Sequence, residues 1–254
     1  MSASIRVYKL GGRTLEDPVL IAALAAELQT SEQTPFIVHG GGSRVTQLLE
    51  RLEIESLFVG GRRATSSDAM EVVEMVLSGS LNKQLAGTLT AAGVPAVGIS
   101  GRDGGMIRAK LEPGLDRVGR PETIDTSLLL RLAEGGWVPV VSPVCSGPNA
   151  EPVNVNADEA ALALACALGA HSLVYLSDVD GVRNGDELAA ELDADAARQA
   201  IDEGIICGGM SLKVQVALDA TRAGIEEVIV AGVARLRGGF PGTRIRGNQR
   251  EGTA

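Results

Sequence analysis

The sequence predicts an α/β protein, a three-layer αβα sandwich around a mainly parallel sheet, arranged in two lobes. Two patterns carry this prediction. Strand, glycine turn and helix follow one another over residues 5–28 and again over residues 36–52, the repetition that builds parallel sheets covered on both faces. Residues 151–183 then wrap two polar turns around one helix and one buried strand, and ligands of open α/β sheets sit at the carboxyl ends of such strands. With 254 residues, 45% hydrophobic and 22% charged, the chain has ample material for a core and is not disordered.

In chain order, Ile5, Val7 and Leu10 mark a strand that stops at Gly11 and Gly12. Leu20, Leu24 and Leu28 then return every fourth residue on one face of a helix over 17–28. A strand at 36–38 runs into His39, Gly40, Gly41 and Gly42, after which Val45, Leu48, Leu49 and Leu52 mark another helix. Asp68 is placed to cap the next helix, with Glu71 three residues on. Its stripe is Met70, Val73, Leu77, Leu81 and Leu85, weakened in the middle by Gly79.

A strand at 96–100, a hairpin excursion at 101–120, a helix at 127–133 and a strand at 138–142 come next. A loop over 143–152 leads to an extended segment bearing Asn154 and Asn156, and to an alanine-rich helix that Asp158 is able to cap. After the strand at 172–176 the pattern predicts helices at 194–203 and 211–223, a strand at 228–231, a closing edge strand at 242–245 and a frayed tail at 248–254.

Composition excludes several functions. A net charge of −9 and 2% aromatics leave nothing for a base-stacking nucleic-acid surface. Cys145, Cys166 and Cys207 have neither disulfide-framework nor zinc-knuckle spacing and fit a reduced, cytoplasmic setting. No apolar run approaches the roughly 20 residues that span a bilayer, so no membrane partner is expected. Walker, GxGxxG, GxSxG and HExxH signatures are absent, and His39 and His171 lie far apart in sequence, so no protein metal site is expected.

What remains is glycine turns, lysines and one carboxylate. Gly11 and Gly12 after Lys9, and the glycines before Ser43, can present backbone N–H groups to an anion. One such turn alone serves as readily just to turn the chain. Lys9 on an apolar strand is costly unless it points into a polar cleft, although alone it also fits a solvated edge lysine. Lys213, near the start of a helix after Gly208 and Gly209, reads by itself as a surface residue. Arg62 and Arg63 on the Gly60–Gly61 turn suit a carboxylate ligand, or form a solvated basic pair.

The motifs YKLGG (8–12), HGGG (39–42), GRRAT (61–65), Asn82 with Lys83, NVNAD (154–158), LSDVDGV (176–182) and GGMSLKV (208–214) run in order over nearly the whole chain. Together they resemble the amino-acid kinase family, and within it the members that phosphorylate N-acetyl-L-glutamate. The resemblance implies one amino-acid kinase-like domain over 1–254, with an acceptor lobe about 1–157 and a nucleotide lobe about 158–254. It also implies transfer of the ATP γ-phosphoryl group to the substrate's side-chain carboxylate, in arginine biosynthesis.

By the same resemblance Lys9 and Lys213 are catalytic and Asp158 orients them, while Gly41, Gly42, Arg63, Asn154 and Asn156 contact the acceptor. Gly11 and Gly12 meet the transferring phosphate; Ser177, Asp178, Val179, Asp180, Gly181, Val182 and Arg183, with Ile205, Ile206 and Cys207, form the nucleotide side. Mg2+ is expected to be held mainly through ATP phosphates. A carboxylate acceptor is already ionised and needs no general base, so positioning and charge neutralisation suffice.

The chain departs from the family pattern where Ser66 and Ser67 precede Asp68, where Arg62 replaces an apolar residue, and where Leu212 stands in place of proline. Only residues 1–8 precede Lys9, from which the resemblance implies an arginine-insensitive homodimer formed through residues 68–92. One alternative is a kinase for carrier-protein-linked aminoadipate or glutamate, which VGISGRDG (97–104) also resembles. Another is a non-catalytic binding protein that kept the fold.

Overall fold

The computed structural model describes residues 4–177, 180–184, 187–232 and 242–246. The chain opens on β1 (Ile5–Leu10), a 3-10 turn (Arg13–Glu16), α1 (Pro18–Thr30), β2 (Thr34–His39) and α2 (Gly42–Arg51). A hairpin of β3 (Phe58–Val59) and β4 (Arg62–Arg63) precedes a long helical stretch, made of α3 (Ser67–Glu74), a π-helical segment (Met75–Leu81) and α4 (Asn82–Ala91). Next come β5 (Ala96–Ser100), β6 (Ile107–Leu111), β7 (Val118–Ile124), α5 (Ser127–Glu134), β8 (Val138–Ser142), β9 (Val144–Ser146), β10 (Pro152–Val155) and α6 (Ala157–Ala167). The remainder supplies β11 (Ser172–Ser177), β12 (Arg183–Asn184), β13 (Glu187–Leu188), β14 (Glu191–Asp193), α7 (Ala194–Asp202), α8 (Gly208–Arg222), β15 (Glu227–Gly232) and β16 (Thr243–Arg246).

Among the described residues eight strands form the central sheet in the order β14-β16-β15-β11-β1-β2-β8-β5, and the six from β15 to β5 run parallel. Val7, Phe36, Val141, Leu173 and Val228 point to one face, where α5, α6, α7 and α8 cover them. Tyr8, Leu10, Ile37, Val140 and Ile229 point to the other, beneath α1 and α4. The alternation in each strand thus feeds two cores, giving the expected three layers. A smaller core joins α2 to α3 and the π segment.

Several boundaries differ from the sequence reading, each for a local reason. Ser66, not Asp68, caps α3: its Oγ accepts the Ala69 N–H at 3.2 Å, and Asp68 sits in the first turn. Asn156, not Asp158, caps α6, accepting the Asp158 N–H at 2.8 Å. Lys213 lies well inside α8, because that helix begins at Gly208. The predicted loop over 143–152 contains β9, which pairs antiparallel with β10 and closes a small four-stranded barrel with β6 and β7.

β16 is not an edge strand. The left-handed turn at Gly242 (φ 93°) brings it antiparallel against β15, and β14 then covers its outer side. The tail at 248–254 lies outside the described residues.

Candidate active site

From β1 the chain winds to β2, β8 and β5 on one side and to β11 and β15 on the other, so the carboxyl end of β1 is a topological switch point. Lys9 stands there, in register with Val38 of β2 and Tyr175 of β11. The glycine turns are sewn to the strand ends: Gly11 N–H donates to Leu176 O at 3.2 Å, and Gly40 N–H to Leu10 O at 2.9 Å. Over them opens a cleft of about 240 Å³. Its polar lining comes from Lys9, Gly12, Gly40, Gly41 and Gly42, from Arg62 and Arg63 of the hairpin, and from Asn154, Asn156 and Asp158. Val45, Phe58, Val73, Leu77 and Val118 supply apolar wall.

The Lys9 ammonium lies 2.8 Å from Asp158 Oδ1, so the cation near the carboxyl end of β1 is paired with the first turn of α6. The N-termini of α2 and α6 both meet the cleft, adding free N–H groups and the positive ends of two helix dipoles. Gly41 has φ 149°, and a Cβ there would run into Leu77 and Leu81, so the turn requires glycine.

Arg63 is buried and held at three points: Nη2 donates to Gly42 O at 3.0 Å and to Thr46 Oγ1 at 2.6 Å, and Nη1 to Ser56 Oγ. Its guanidinium lies 4.5 Å from the centre of the Phe58 ring. Burial lowers its pKa, but a guanidinium remains charged in proteins. Asn154 donates to Thr65 Oγ1 at 3.1 Å, and Thr65 Oγ1 in turn to Arg63 O at 2.6 Å. The acceptor-side residues named from the sequence are therefore brought together.

A layer behind the glycine turn was not legible as such. His39 is fully buried; its Nδ1–H donates to Gly40 O at 2.8 Å, which leaves Nε2 to accept from Asn82 Nδ2 at 3.1 Å. Burial, helped by the Lys83 charge, pushes the imidazole down to about 4, so it is neutral at physiological pH. Asn82 Nδ2 also faces Val140 O at 2.8 Å and Ile99 O at 3.1 Å, while Lys83 donates to Asn82 Oδ1 at 3.1 Å and to Gly98 O at 2.5 Å.

The nucleotide-side residues are placed differently. Lys213 is half-buried on α8, which packs on α6, and does not line the cleft. Gly181 is buried with φ 148°, and a Cβ there would come within 2.8 Å of Thr243 Oγ1, the atom that accepts the Val182 N–H at 2.8 Å. Val182 and Ile206 bury their side chains in the core, and their N–H groups are already donated, to Thr243 Oγ1 and to Ala200 O. Asp180, Arg183, Ile205 and Cys207 are exposed. Ser177 ends β11, and Asp178 and Val179 lie outside the described residues.

Gly11 does not line the cleft, whereas Gly12 does. Of the cleft residues not singled out as contacts, Val73 and Leu77 belonged to the apolar stripe; Phe58, Val118 and Pro143 carried no local signal. Among the described residues no three His, Cys, Asp or Glu side chains cluster as a metal site, and no helix is long and apolar enough to cross a membrane.

Comparison with known proteins agrees with this fold. An acetylglutamate kinase of Geobacillus stearothermophilus is 42% identical over 210 residues, 80% of each chain. Another, of Rubrobacter xylanophilus, is 48% identical over 177 residues, 70% of each chain. In fold, the chain resembles N-acetylglutamate synthase from Neisseria gonorrhoeae, with TM-score 0.80 and 22% identity over 97% of this chain and 60% of that one. It also resembles the carbamate kinase of Giardia, with TM-score 0.71 and 14% identity over 98% and 100% of the two chains. Residues 4–232 match the sequence pattern described as the Amino acid kinase family, and this chain belongs to that family.

Proposed function

We propose that the protein is an acetylglutamate kinase, transferring the γ-phosphoryl group of ATP to the side-chain carboxylate of N-acetyl-L-glutamate. The observation that carries this reading is the Lys9–Asp158 pair at the switch point, beneath two helix N-termini and beside the locked Arg63. Two anions must meet for the reaction, and the cleft answers with an ammonium, a guanidinium and backbone N–H groups. In this reading Arg63, Asn154, Asn156, Gly41 and Gly42 hold the acceptor. Lys9 and Lys213 neutralise charge on the transferring group, Asp158 orients Lys9, and the turn at Gly11 and Gly12 meets the phosphate.

The nucleotide lies beyond the end of β11, towards Gly181 and the start of α8. Most groups facing the cleft are cationic or N–H donors, so magnesium would be held mainly through ATP phosphates, neutralising their charge. The acceptor lobe then covers residues up to about 157 and the nucleotide lobe the rest. A homodimer through the helical stretch of α3, the π segment and α4 fits the exposed Met75 on that stretch. Light scattering after size exclusion should give twice the chain mass.

Hydroxylamine trapping tests the reaction: with magnesium ATP, N-acetyl-L-glutamate should give a hydroxamate, and glutamate, aspartate and N-acetylaminoadipate should not. No hydroxamate from any free amino acid would overturn this reading in favour of a carrier-linked acceptor.

A further inference from the structure

Arg62 is ion-paired with Glu159, the neighbour of Asp158 in the first turn of α6. The bond ties the β3–β4 hairpin to the helix that carries Asp158, across 97 positions of sequence. The hairpin turns on Gly60 and Gly61, both at positive φ, and Leu57, Phe58 and Val59 are largely exposed on it, so little apolar packing holds it down. It nevertheless contributes Phe58, Gly61, Arg62 and Arg63 to the cleft. The pair is incomplete: Arg62 Nε and Glu159 Oε2 are both buried without a hydrogen-bond partner, although the same two side chains already meet through Nη2 and Oε1. A second donor and a second acceptor thus remain for a fork-shaped, bidentate pairing.

We infer that Arg62 and Glu159 form a latch that seats the β3–β4 hairpin over the cleft and completes its second bond when the acceptor is bound. Arg62 is then a positioning residue for acceptor affinity. Completion of the pair seats the exposed tip of the hairpin, with Phe58, against the bound molecule, while Arg63 keeps its bonds to Gly42 O, Thr46 and Ser56. A buried donor and acceptor left unpaired are each unfavourable, so closure gains from both at once. This inference rests on reading the cleft as the acceptor site, and its test has an arm independent of catalysis.

In the kinase assay, Arg62→Ala and Glu159→Ala should each raise the acceptor KM about tenfold, with kcat and the ATP KM changed less than about twofold. The double variant should be no worse than either single change, because both remove one interaction. Arg62→Lys, which keeps the charge and one bond but lacks the fork, should recover only part of the affinity. Additive effects, or an unchanged acceptor KM, overturn the latch. In the second arm, trypsin should cut after Arg62 and Arg63 several-fold faster in Glu159→Ala than in the parent protein, with no substrate present. Equal rates overturn the latch whatever the enzyme's substrate proves to be, and a rate difference in a protein that makes no hydroxamate would leave the latch standing and remove only the assigned reaction.

Discussion

On the proposed acceptor side, side chains hold the site: Arg63 is fixed by Gly42 O, Thr46 and Ser56, Asn154 by Thr65, and Lys9 by Asp158. On the proposed nucleotide side the backbone does so. Gly181 presses against Thr243, Val182 hangs from Thr243 Oγ1 by its N–H, and the side chains of Val182 and Ile206 are in the core. A site that must tell one small carboxylate from its homologues needs functional groups at fixed points, since discrimination comes from polar groups left unpaired by the wrong ligand. A nucleotide's phosphates are met adequately by N–H groups that any residue supplies. Selectivity should therefore be sensitive to substitution on one side and to backbone geometry on the other.

The largest effect should come from Lys9→Ala, which removes a preorganised charge from the proposed reaction path. Turnover should fall by about 10²–10³-fold, with the melting temperature shifted by only a few degrees. Lys213→Ala should lose turnover comparably, although Lys213 stands outside the acceptor cleft; retention of most activity by both variants would break the two-lysine account.

The layer behind the glycine turn should show itself in stability. Native His39 has its pKa pushed down to about 4, whereas the unfolded chain binds that proton near 6.5. Between those values the unfolded state holds more protons, so stability is full above the upper value and declines as pH falls through the window. His39 should contribute a loss of about 3 kcal/mol across it, at about 1.4 kcal/mol per pH unit. Urea titrations at several pH values should find this slope in the parent and a shallower one in His39→Gln.

Two smaller changes sharpen the contrast directly. Arg63→Lys keeps the charge but loses the fork, and should raise the acceptor KM about tenfold, equivalent to roughly 1.4 kcal/mol, while leaving the ATP KM unchanged. Thr243→Val removes the acceptor of the Val182 N–H and should destabilise by about 1–3 kcal/mol. It should raise the ATP KM and spare the acceptor KM, and the reverse pattern would collapse the distinction between the two sides.

Most of the sheet was legible because its signals are local: Ile5, Val7 and Leu10 ending at Gly11, or Phe36 to Val38 ending at the glycine run, need no information from elsewhere. The same holds for Lys9 and Asp158 as candidates, since a charge on an apolar strand and a carboxylate at a helix start are local anomalies. Their pairing at 2.8 Å is not local, and neither is the Arg62–Glu159 bond. Strand order failed for β16 because edge position depends on where β14 returns, which no periodicity encodes. The Asp68 cap was misassigned because Ser66 offers the same chemistry two residues earlier, and only backbone dihedrals choose between them.

The π segment Met75–Leu81 was read as part of one apolar stripe weakened at Gly79, with Leu77, Leu81 and Leu85 at steps of four. On an α-helix such steps precess by about 40° each, and a wider turn absorbs that drift. The helix accordingly passes from the small core, at Leu77 and Leu81, to the sheet core, at Leu85 and Leu89, with Asn82 aimed at His39 between them. Loss of one residue from this segment would rotate everything downstream by about 100° relative to what lies before it and would swing Asn82 away from the imidazole. Natural variation here should accordingly be in the identity of side chains and not in their number, and an alignment gap within 75–81 would mark a protein whose glycine turn is supported in some other way.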